Sequence, residues 1–393
     1  MRCSWRPSRA SSAGGGRGLA WAFAAALCLA IGTIGSAQAQ SRPPTMPTLT
    51  PTPPPAPSPT PSVSRAPIPS PRASIVNADL AAGPAIANLG SNFLERIGNQ
   101  ATSGFNRLWR TNPGGGGASE SVEAPRFRTW FEGYGISARN DAVGDFVGDR
   151  RKTWGGVAGI GARIAPGVNL GFSVDQSRTD IEVPLALQSA AIDLTQLGAH
   201  ATVDKGPWTW AIAVVHGFGN IRSSRDTGLG FAAAGYNAKL DGALSELSYY
   251  WDKDQSRIVP KASLEYVRVR TGSFQEFGGL DPVFASAATV ERMRVMIGVE
   301  VGHYWIFDQK VFDLSAYGKF VDNVAQNFGD ITVSLGSQSI TLQGIAESQY
   351  GADAGAAASL SLTNAARLYL NYDGKFRAAM QSHQGTLGVE FKW

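Results

Sequence analysis

The feature that most constrains the fold of this chain is a series of long segments with period-two alternation, which begins at Arg126 and ends at Trp393. In the last segment, one face carries Leu387, Val389, Phe391 and Trp393. Small and charged residues alternate with them, as expected when the two faces of a β-strand meet different surroundings. Twelve such segments can be counted, and they predict about 12 antiparallel strands.

The length of these segments favours a membrane barrel over a soluble β-sandwich. Sandwich strands usually have about five or six residues, whereas a tilted strand that crosses a bilayer needs about 9–11. Short turns alternate with longer connections, which is typical of a transmembrane barrel. We therefore predict an all-β membrane barrel over residues 126–393. The long loops are predicted at 139–151, 222–235, 274–288 and 324–348.

Aromatic residues cluster near the ends of the predicted strands. Transmembrane barrels carry girdles of aromatic side chains at both membrane interfaces. The sequence predicts that these girdles contain Trp130, Trp154, Trp208, Tyr249, Tyr250, Trp251, Tyr304, Trp305 and Trp393.

The first 39 residues have the pattern of a secretory signal peptide. A basic start is followed by an apolar stretch, and the small residues Ala37 and Ala39 fit the pattern before a cleavage site. Both cysteines of the chain, Cys3 and Cys28, lie in this leader. The processed chain is thus expected to leave the cytoplasm without a thiol for a disulfide or a metal.

A spacer, a helix and a linker are predicted between the leader and the barrel. Residues 40–74 are rich in proline and predict a disordered, extended spacer. Residues 75–112 predict an amphipathic helix, centred on about 84–108 with Gly83-Pro84 as its start. Its apolar residues Ile86, Leu89, Phe93 and Ile97 recur at helical spacing. Residues 113–125 are a glycine-rich linker.

Charge and motifs argue against several functional classes. Lys and Arg number 35 against 31 Asp and Glu, and four of the arginines lie in the leader, where there is no acid. The remaining chain is therefore neutral, which disfavours a nucleic-acid-binding protein. The four histidines occur outside any known catalytic or metal-binding motif. We expect no catalytic residues, no metal and no cofactor.

The end of the chain resembles the β-domain of bacterial autotransporters, the type V secretion family. The segments that carry the resemblance are 366–376 and 383–393, which look like the last hairpin of that family, and 130–135, which looks like its first strand. Two features depart from the usual pattern. The chain ends in Trp393 where most members end in Phe, and the segment before the barrel is very short for a passenger domain.

The resemblance implies the location, the partners and the candidate sites. It implies a monomeric barrel in the Gram-negative outer membrane, in contact with its lipid, with periplasmic chaperones and with the barrel-assembly machinery. That machinery would contact Leu387, Val389, Phe391 and Trp393. The helix would occupy the barrel lumen, where Glu95, Arg96 and Arg107 would pair with charged residues such as Glu132, Arg294, Glu300 or Asp373.

Three functions remain open from the sequence. The preferred hypothesis is a non-enzymatic autotransporter barrel that displays or translocates its short N-terminal segment. A porin-like channel or structural outer-membrane protein, with the proline-rich segment as a periplasmic tether, is the alternative. The third is an adhesin that binds an unknown surface ligand through the loops 222–235, 274–288 and 324–348.

Overall fold

The computed structural model describes residues 75–102, 126–144, 146–307, 310–363 and 365–393. The predicted signal peptide with Ala37 and Ala39, the proline-rich spacer, Arg107 and the glycine-rich linker therefore lie outside the described residues.

Twelve long antiparallel strands form a closed barrel, which confirms the predicted fold. The strands are β1 (Phe127–Asn140), β2 (Asp149–Ala165), β3 (Val168–Val183), β4 (Gln188–Lys205), β5 (Trp208–Asp226), β6 (Phe231–Tyr249), β7 (Ser256–Thr271), β8 (Ala288–Phe307), β9 (Lys310–Phe328), β10 (Tyr350–Ser361), β11 (Ala366–Arg377) and β12 (Met380–Lys392). Consecutive strands pair in sequence order, and β12 pairs with β1 to close the ring. One extra short strand, Trp251–Lys253, pairs with the start of β7.

The two ends of the barrel differ in their connections. Strand β1 begins at the short-turn end, where Gly167 and Gly206 form tight turns with positive φ. Glycine adopts this backbone conformation without the steric penalty of a side chain. The opposite end, called the long-loop end below, carries the connections 141–148, 272–287 and 329–349.

The predicted loop at 222–235 is wrong. Strand β5 continues to Asp226 and β6 begins at Phe231, so that only the turn 227–230 separates them. The two strands pair along their whole length, because the alternation of inward and outward residues continues beyond the apolar band on the outer surface of the barrel. The predicted loops 274–288 and 324–348 contain a small four-stranded sheet made of Phe274–Gln275, Phe284–Ala285, Ile331–Leu335 and Gln338–Leu342.

Many large apolar side chains of the strands point outward, and many polar or small residues point into the lumen, where β4, β5 and β6 add an apolar patch. The outer surface of β5 shows the pattern, with Trp210, Ile212 and Val214 exposed. Trp130 is an exception to the predicted aromatic girdles. Its side chain is fully buried in the lumen, where its ring is tilted relative to the ring of His200. Trp130 occupies one of the alternating positions of β1 that face the lumen.

The helix α1 spans Asn77–Thr102 and begins seven residues earlier than the predicted start near Pro84. Pro84 lies inside the helix although a proline there removes one backbone hydrogen bond. Leu80, Ala81 and Ala82 are buried before it, and this burial stabilises the additional turns. Among the helices that the structure describes, none has the length and apolar character needed to cross a membrane.

Candidate functional site

The helix α1 is enclosed by the barrel. Its apolar residues Ile86, Phe93 and Ile97 are buried, and so are its charged residues Glu95 and Arg96. The helix makes contacts with strands on opposite sides of the ring, from β3 and β4 to β8. This interface between helix and barrel wall is the candidate functional site, because it decides whether the lumen is open.

One face of the helix packs on a wall formed by β4, β5 and β6, and glycines bring the two surfaces together. A methyl group on Gly198 of β4 would lie 2.9 Å from a ring carbon of Phe93. On the helix, a methyl group on Gly90 would lie 2.8 Å from both terminal carbons of Leu240. The helix glycines therefore permit close packing, which offsets their low helix propensity.

The opposite face of the helix is held by charges, and Glu95 is at their centre. Its carboxylate lies 2.7 Å from Lys375 Nζ, 3.2 Å from Lys319 Nζ and 3.3 Å from Arg294 Nη2. Arg294 also pairs with Glu265 at 2.8 Å. A buried carboxylate is costly unless it is paired, and here three cations from β8, β9 and β11 compensate it.

Arg96 extends to the other side of the lumen. Its Nε lies 3.2 Å from a carboxylate oxygen of Glu132 on β1, and its Nη1 lies 3.6 Å from Asp175 on β3. The guanidinium carbon is 3.9 Å from the ring centroid of Tyr134. The hydroxyl of Tyr134 donates to Asp175 at 2.9 Å. The adjacent residues Glu95 and Arg96 thus connect the helix to five strands.

A third group of contacts lies one helical turn nearer the long-loop end. Arg292 of β8 donates to Ser91 at 2.6 Å and to the side-chain oxygen of Asn88 at 2.7 Å. The same guanidinium donates to Glu347 of the loop 329–349 at 2.7 Å. Ser91 in turn donates to Glu265 at 2.7 Å. Arg292 therefore links the helix to the long loop.

The N-terminal turn of the helix lies at the long-loop end. The hydroxyl of Tyr236 on β6 donates to Asp79 at 2.8 Å, and its ring stacks on Phe274 with centroids 4.5 Å apart. The backbone N–H of Ala78 donates to the side chain of Gln188 at 2.9 Å. Phe274 belongs to the small loop sheet, whose buried residues cover this end of the helix.

The C-terminal part of the helix lies nearer the short-turn end. Gln100 donates to the hydroxyl of Tyr369 on β11 at 2.9 Å, and its backbone carbonyl accepts from Arg128 near the start of β1. A cavity of about 140 Å³, with several charged side chains in its lining, remains between this part of the helix and strands β7–β12. The helix therefore fills the lumen on the β4–β6 side more completely than on the β7–β12 side.

Of the partners predicted for the helix charges, the structure brings two to the helix, Glu132 and Arg294. Glu300 instead pairs with Arg257 and Lys261 within the wall, and Asp373 accepts from Tyr317. Sequence reasoning missed three partners, namely Lys319, Lys375 and Asp175. The sequence does contain a signal for them, because each occupies an alternating position that faces the lumen. The other lumen-facing residues of these strands are mostly small or polar.

The residues of the predicted C-terminal assembly signal point away from the lumen. Leu387, Phe391 and Trp393 are exposed, and Val389 is half-buried. The ring of Trp393 stacks with that of Phe127 at a centroid distance of 6.4 Å. The signal therefore lies on the outer surface of β12, at the seam where the last strand meets the first.

Three of the four histidines face outward, each beside one polar partner. They are His216 with Asp241, His303 with Ser256, and His383 with Tyr372. His200 is buried in the lumen beside Arg128. Within the described ranges, no group of three or more His, Cys, Asp or Glu residues could hold a metal ion.

One protein-family model matches this chain. The model of the autotransporter β-domain matches residues 129–373. The extracellular serine protease of Serratia marcescens is 22% identical over 272 residues, which are 66% of this chain. The chain spans only 25% of the length of that relative.

Solved structures share the barrel and its helix. The translocator domain of autotransporter NalP from Neisseria meningitidis superposes with a TM-score of 0.62 at 16% identity, over 81% of this chain and 99% of that one. The β-domain of the Bordetella autotransporter BrkA gives a TM-score of 0.50 at 14% identity, over 68% of this chain and 100% of that one. With a helix enclosed by twelve strands and a family match over more than half of its length, the chain belongs to the autotransporter β-domain family.

Proposed function

We propose that this barrel carries its own N-terminal segment across the outer membrane and displays it on the cell surface, without enzymatic activity. Family membership implies an outer-membrane barrel in a Gram-negative cell. The segment before the helix is then a very short passenger.

The observation that carries this proposal is the direction of the helix. Asp79 contacts Tyr236 at the long-loop end, whereas Gln100 is bound by Arg128 near the short-turn end. The helix therefore begins at the long-loop end and runs towards the short-turn end. In transmembrane barrels the longer loops are extracellular and the short turns periplasmic. A helix that begins at the extracellular end supports display of the N-terminal segment on the cell surface.

The properties of the segment fit display better than catalysis. Residues 40–74 are rich in proline and poor in apolar residues that could form a core. As an extended polyproline chain at ~3.1 Å per residue, they would span roughly 100 Å. The name serine protease describes the whole Serratia relative, and the matched residues form only a quarter of that protein.

The experiment that tests the proposal places an epitope tag after Arg42. Antibody is added to intact cells, to lysed cells and to culture medium. We expect the tag to be accessible on intact cells. A tag that is accessible only after lysis would contradict display, since it would show that the segment stays in the periplasm. The same tag inserted at the short turn 166–167 is the matched control for periplasmic exposure.

A second candidate function, a diffusion channel, is favoured by the cavity of about 140 Å³ beside the helix. Conductance in a planar bilayer separates the two functions. For the display function we expect a low conductance that rises strongly when residues 75–112 are deleted, because the helix then no longer fills the lumen. A channel in its resting form would instead conduct ions with the helix in place, and the deletion would change little.

We further propose that the outer face of β12 is recognised by the barrel-assembly machinery, with periplasmic chaperones acting before it. An exposed row of apolar side chains on a terminal strand suits pairing with another strand edge during assembly. Once assembly is complete, β1 occupies this edge.

A further inference from the structure

The outer surface of the barrel changes from apolar to polar at one level of β6, β7 and β8. Towards the short-turn end, the exposed residues are apolar and include Leu247, Leu264 and Ile297. Further towards the long-loop end, the outward positions carry charges, first Asp241 and Arg268 and, in the row after them, Lys239 and Arg270. Such a boundary is typical of the level at which lipid headgroups meet the wall of a transmembrane barrel.

Lys239 and Arg270 are directly opposite each other at this boundary. They form a cross-strand pair between β6 and β7, and both side chains are exposed. Like charges in such a pair destabilise a sheet unless something compensates them. Within the part of the chain that the structure describes, neither residue has an ion pair or a side-chain hydrogen bond.

The neighbouring carboxylates already have partners of their own. Asp241 lies 2.7 Å from His216, and Glu291 lies 3.0 Å from Arg268. Both pairs are on the row of residues just below Lys239 and Arg270. The barrel therefore presents two uncompensated cations above a row of compensated charges.

We propose that Lys239 and Arg270 bind a phosphate group on the headgroup of an outer-leaflet glycolipid. Arg and Lys form charge-assisted hydrogen bonds to phosphate, and the guanidinium fork suits two of its oxygens. The apolar residues Leu264 and Leu247 lie further towards the short-turn end, three outward positions from Arg270 and four from Lys239, and supply a wall for the acyl chains. This surface favours a lipid phosphate over free phosphate. The proposal relies on the proposed orientation, in which the long-loop end faces outward.

Binding is tested with the full chain in phosphatidylethanolamine nanodiscs that contain a bis-phosphorylated lipid A or its dephosphorylated form. Retained lipid is counted by native mass spectrometry, and the melting temperature is measured in parallel. We expect the wild type to retain the phosphorylated lipid preferentially. The double variant Lys239→Gln with Arg270→Gln is expected to bind it about tenfold or more weakly, since two charge-assisted contacts are lost.

Two variants serve as controls. Lys239→Arg with Arg270→Lys keeps both charges and is expected to retain the lipid. Lys253→Gln with Lys310→Gln removes two exposed cations at the short-turn end, and we expect it to bind like the wild type. Both sets of substitutions are on the outer surface, so that the melting temperature in plain nanodiscs reports any folding defect.

Equal retention of both lipids, or equal retention by the wild type and the Gln variant, would overturn the proposal. Stabilisation by inorganic phosphate alone, as large as that by the phosphorylated lipid, would identify free phosphate as the ligand and would also overturn it. These results are independent of the surface display of residues 40–74, so that a failure here and a failure of the proposed function are distinguishable.

Discussion

Glu95 of the helix and Lys375 of β11 are 280 positions apart in the chain, yet their side chains are 2.7 Å apart in the lumen. This ion pair fixes the helix against the wall opposite its apolar face. Because Lys319 and Arg294 bind the same carboxylate, three strands converge on Glu95.

Replacing Glu95 by Gln is therefore expected to destabilise the barrel strongly. The substitution leaves three buried cations without their shared partner, and breaking a buried pair from one side costs about 3–5 kcal/mol. Thermal unfolding in detergent, followed by gel mobility, measures the effect. Asp180→Asn is the matched control, because its ion pair with Arg178 is more than half exposed. The control is expected to cost less than about 1 kcal/mol. Equal losses in the two variants would contradict the central role of Glu95.

Gly90→Ala is expected to destabilise the protein although alanine is the better helix former. The gain in helix propensity is about 1 kcal/mol. The new methyl group would lie 2.8 Å from Leu240, which is fully buried and has little room to move. Overpacking of this kind costs about 1–3 kcal/mol, so that we expect a net loss in denaturant unfolding.

Two further variants test this explanation. In a Leu240→Ala background the penalty of Gly90→Ala should disappear, because the clash is removed. Gly133→Ala, at a position where no heavy atom lies within 4 Å of the added carbon, should be neutral or stabilising. A persistent penalty in the Leu240→Ala background would show that the close approach is not the cause.

Truncating Phe391 and Trp393 to Ala should reduce assembly in cells more than it reduces folding in detergent. Both side chains are exposed, Phe391 on β12 and Trp393 directly after it, so that little packing is lost in the folded barrel. The ratio of heat-modifiable barrel in cell envelopes to barrel refolded in vitro measures the difference. Leu314→Ala, an exposed residue of β9, is the control. If assembly and refolding fall together, packing explains the effect and recognition does not.

The contact between Glu347 and Arg292 should weaken in acid. Burial on its own raises the pKa of the Glu347 carboxyl, but the charges of Arg292 and Arg294 outweigh it and hold the pKa below the ordinary value. A lowered pKa means that the contribution to stability is complete above the unfolded pKa, ~4.3. It is lost as the pH falls through the folded pKa.

Amide hydrogen exchange of residues 343–349, corrected for intrinsic rates, measures this effect. We expect protection to decrease below about pH 4 in the wild type. In Glu347→Gln it should be low at every pH. Glu182→Gln, which alters an exposed carboxyl of β3, should leave the wild-type profile unchanged. Full protection in Glu347→Gln would show that the loop is held by other contacts.

Much of the barrel could be predicted from the sequence because the alternation of inward and outward residues along a strand is a local signal. The alternation around Leu387 and Phe391 assigns each residue of β12 to the lipid or the lumen without knowledge of any partner. A position near a strand end predicts an interfacial Trp130, but the alternation within β1 turns its side chain into the lumen. The range 222–235 has the composition of a loop because the outward residues of a strand beyond the lipid level are polar, as loop residues are.

The partners of the helix were harder to predict. The alternation along the strands places Lys319 and Lys375 in the lumen. Which lumen residues the helix contacts depends on its rotation about its own axis. That rotation depends on how closely Gly90 and Gly198 allow the helix to approach β4–β6. The early start of the helix was missed for a related reason, since Pro84 is tolerated only because the barrel buries the turn before it.

The crosswise arrangement of the ion pairs has a mechanical consequence. The contacts of Glu95, Arg96 and Ser91 run from the helix axis to the surrounding wall. A force that pulls residue 75 along the barrel axis would load these contacts in shear, and all of them would have to yield together. The helix should therefore resist extraction by tension far better than its individual bonds would suggest, and a load on the emerging chain would be transferred to the whole ring of strands.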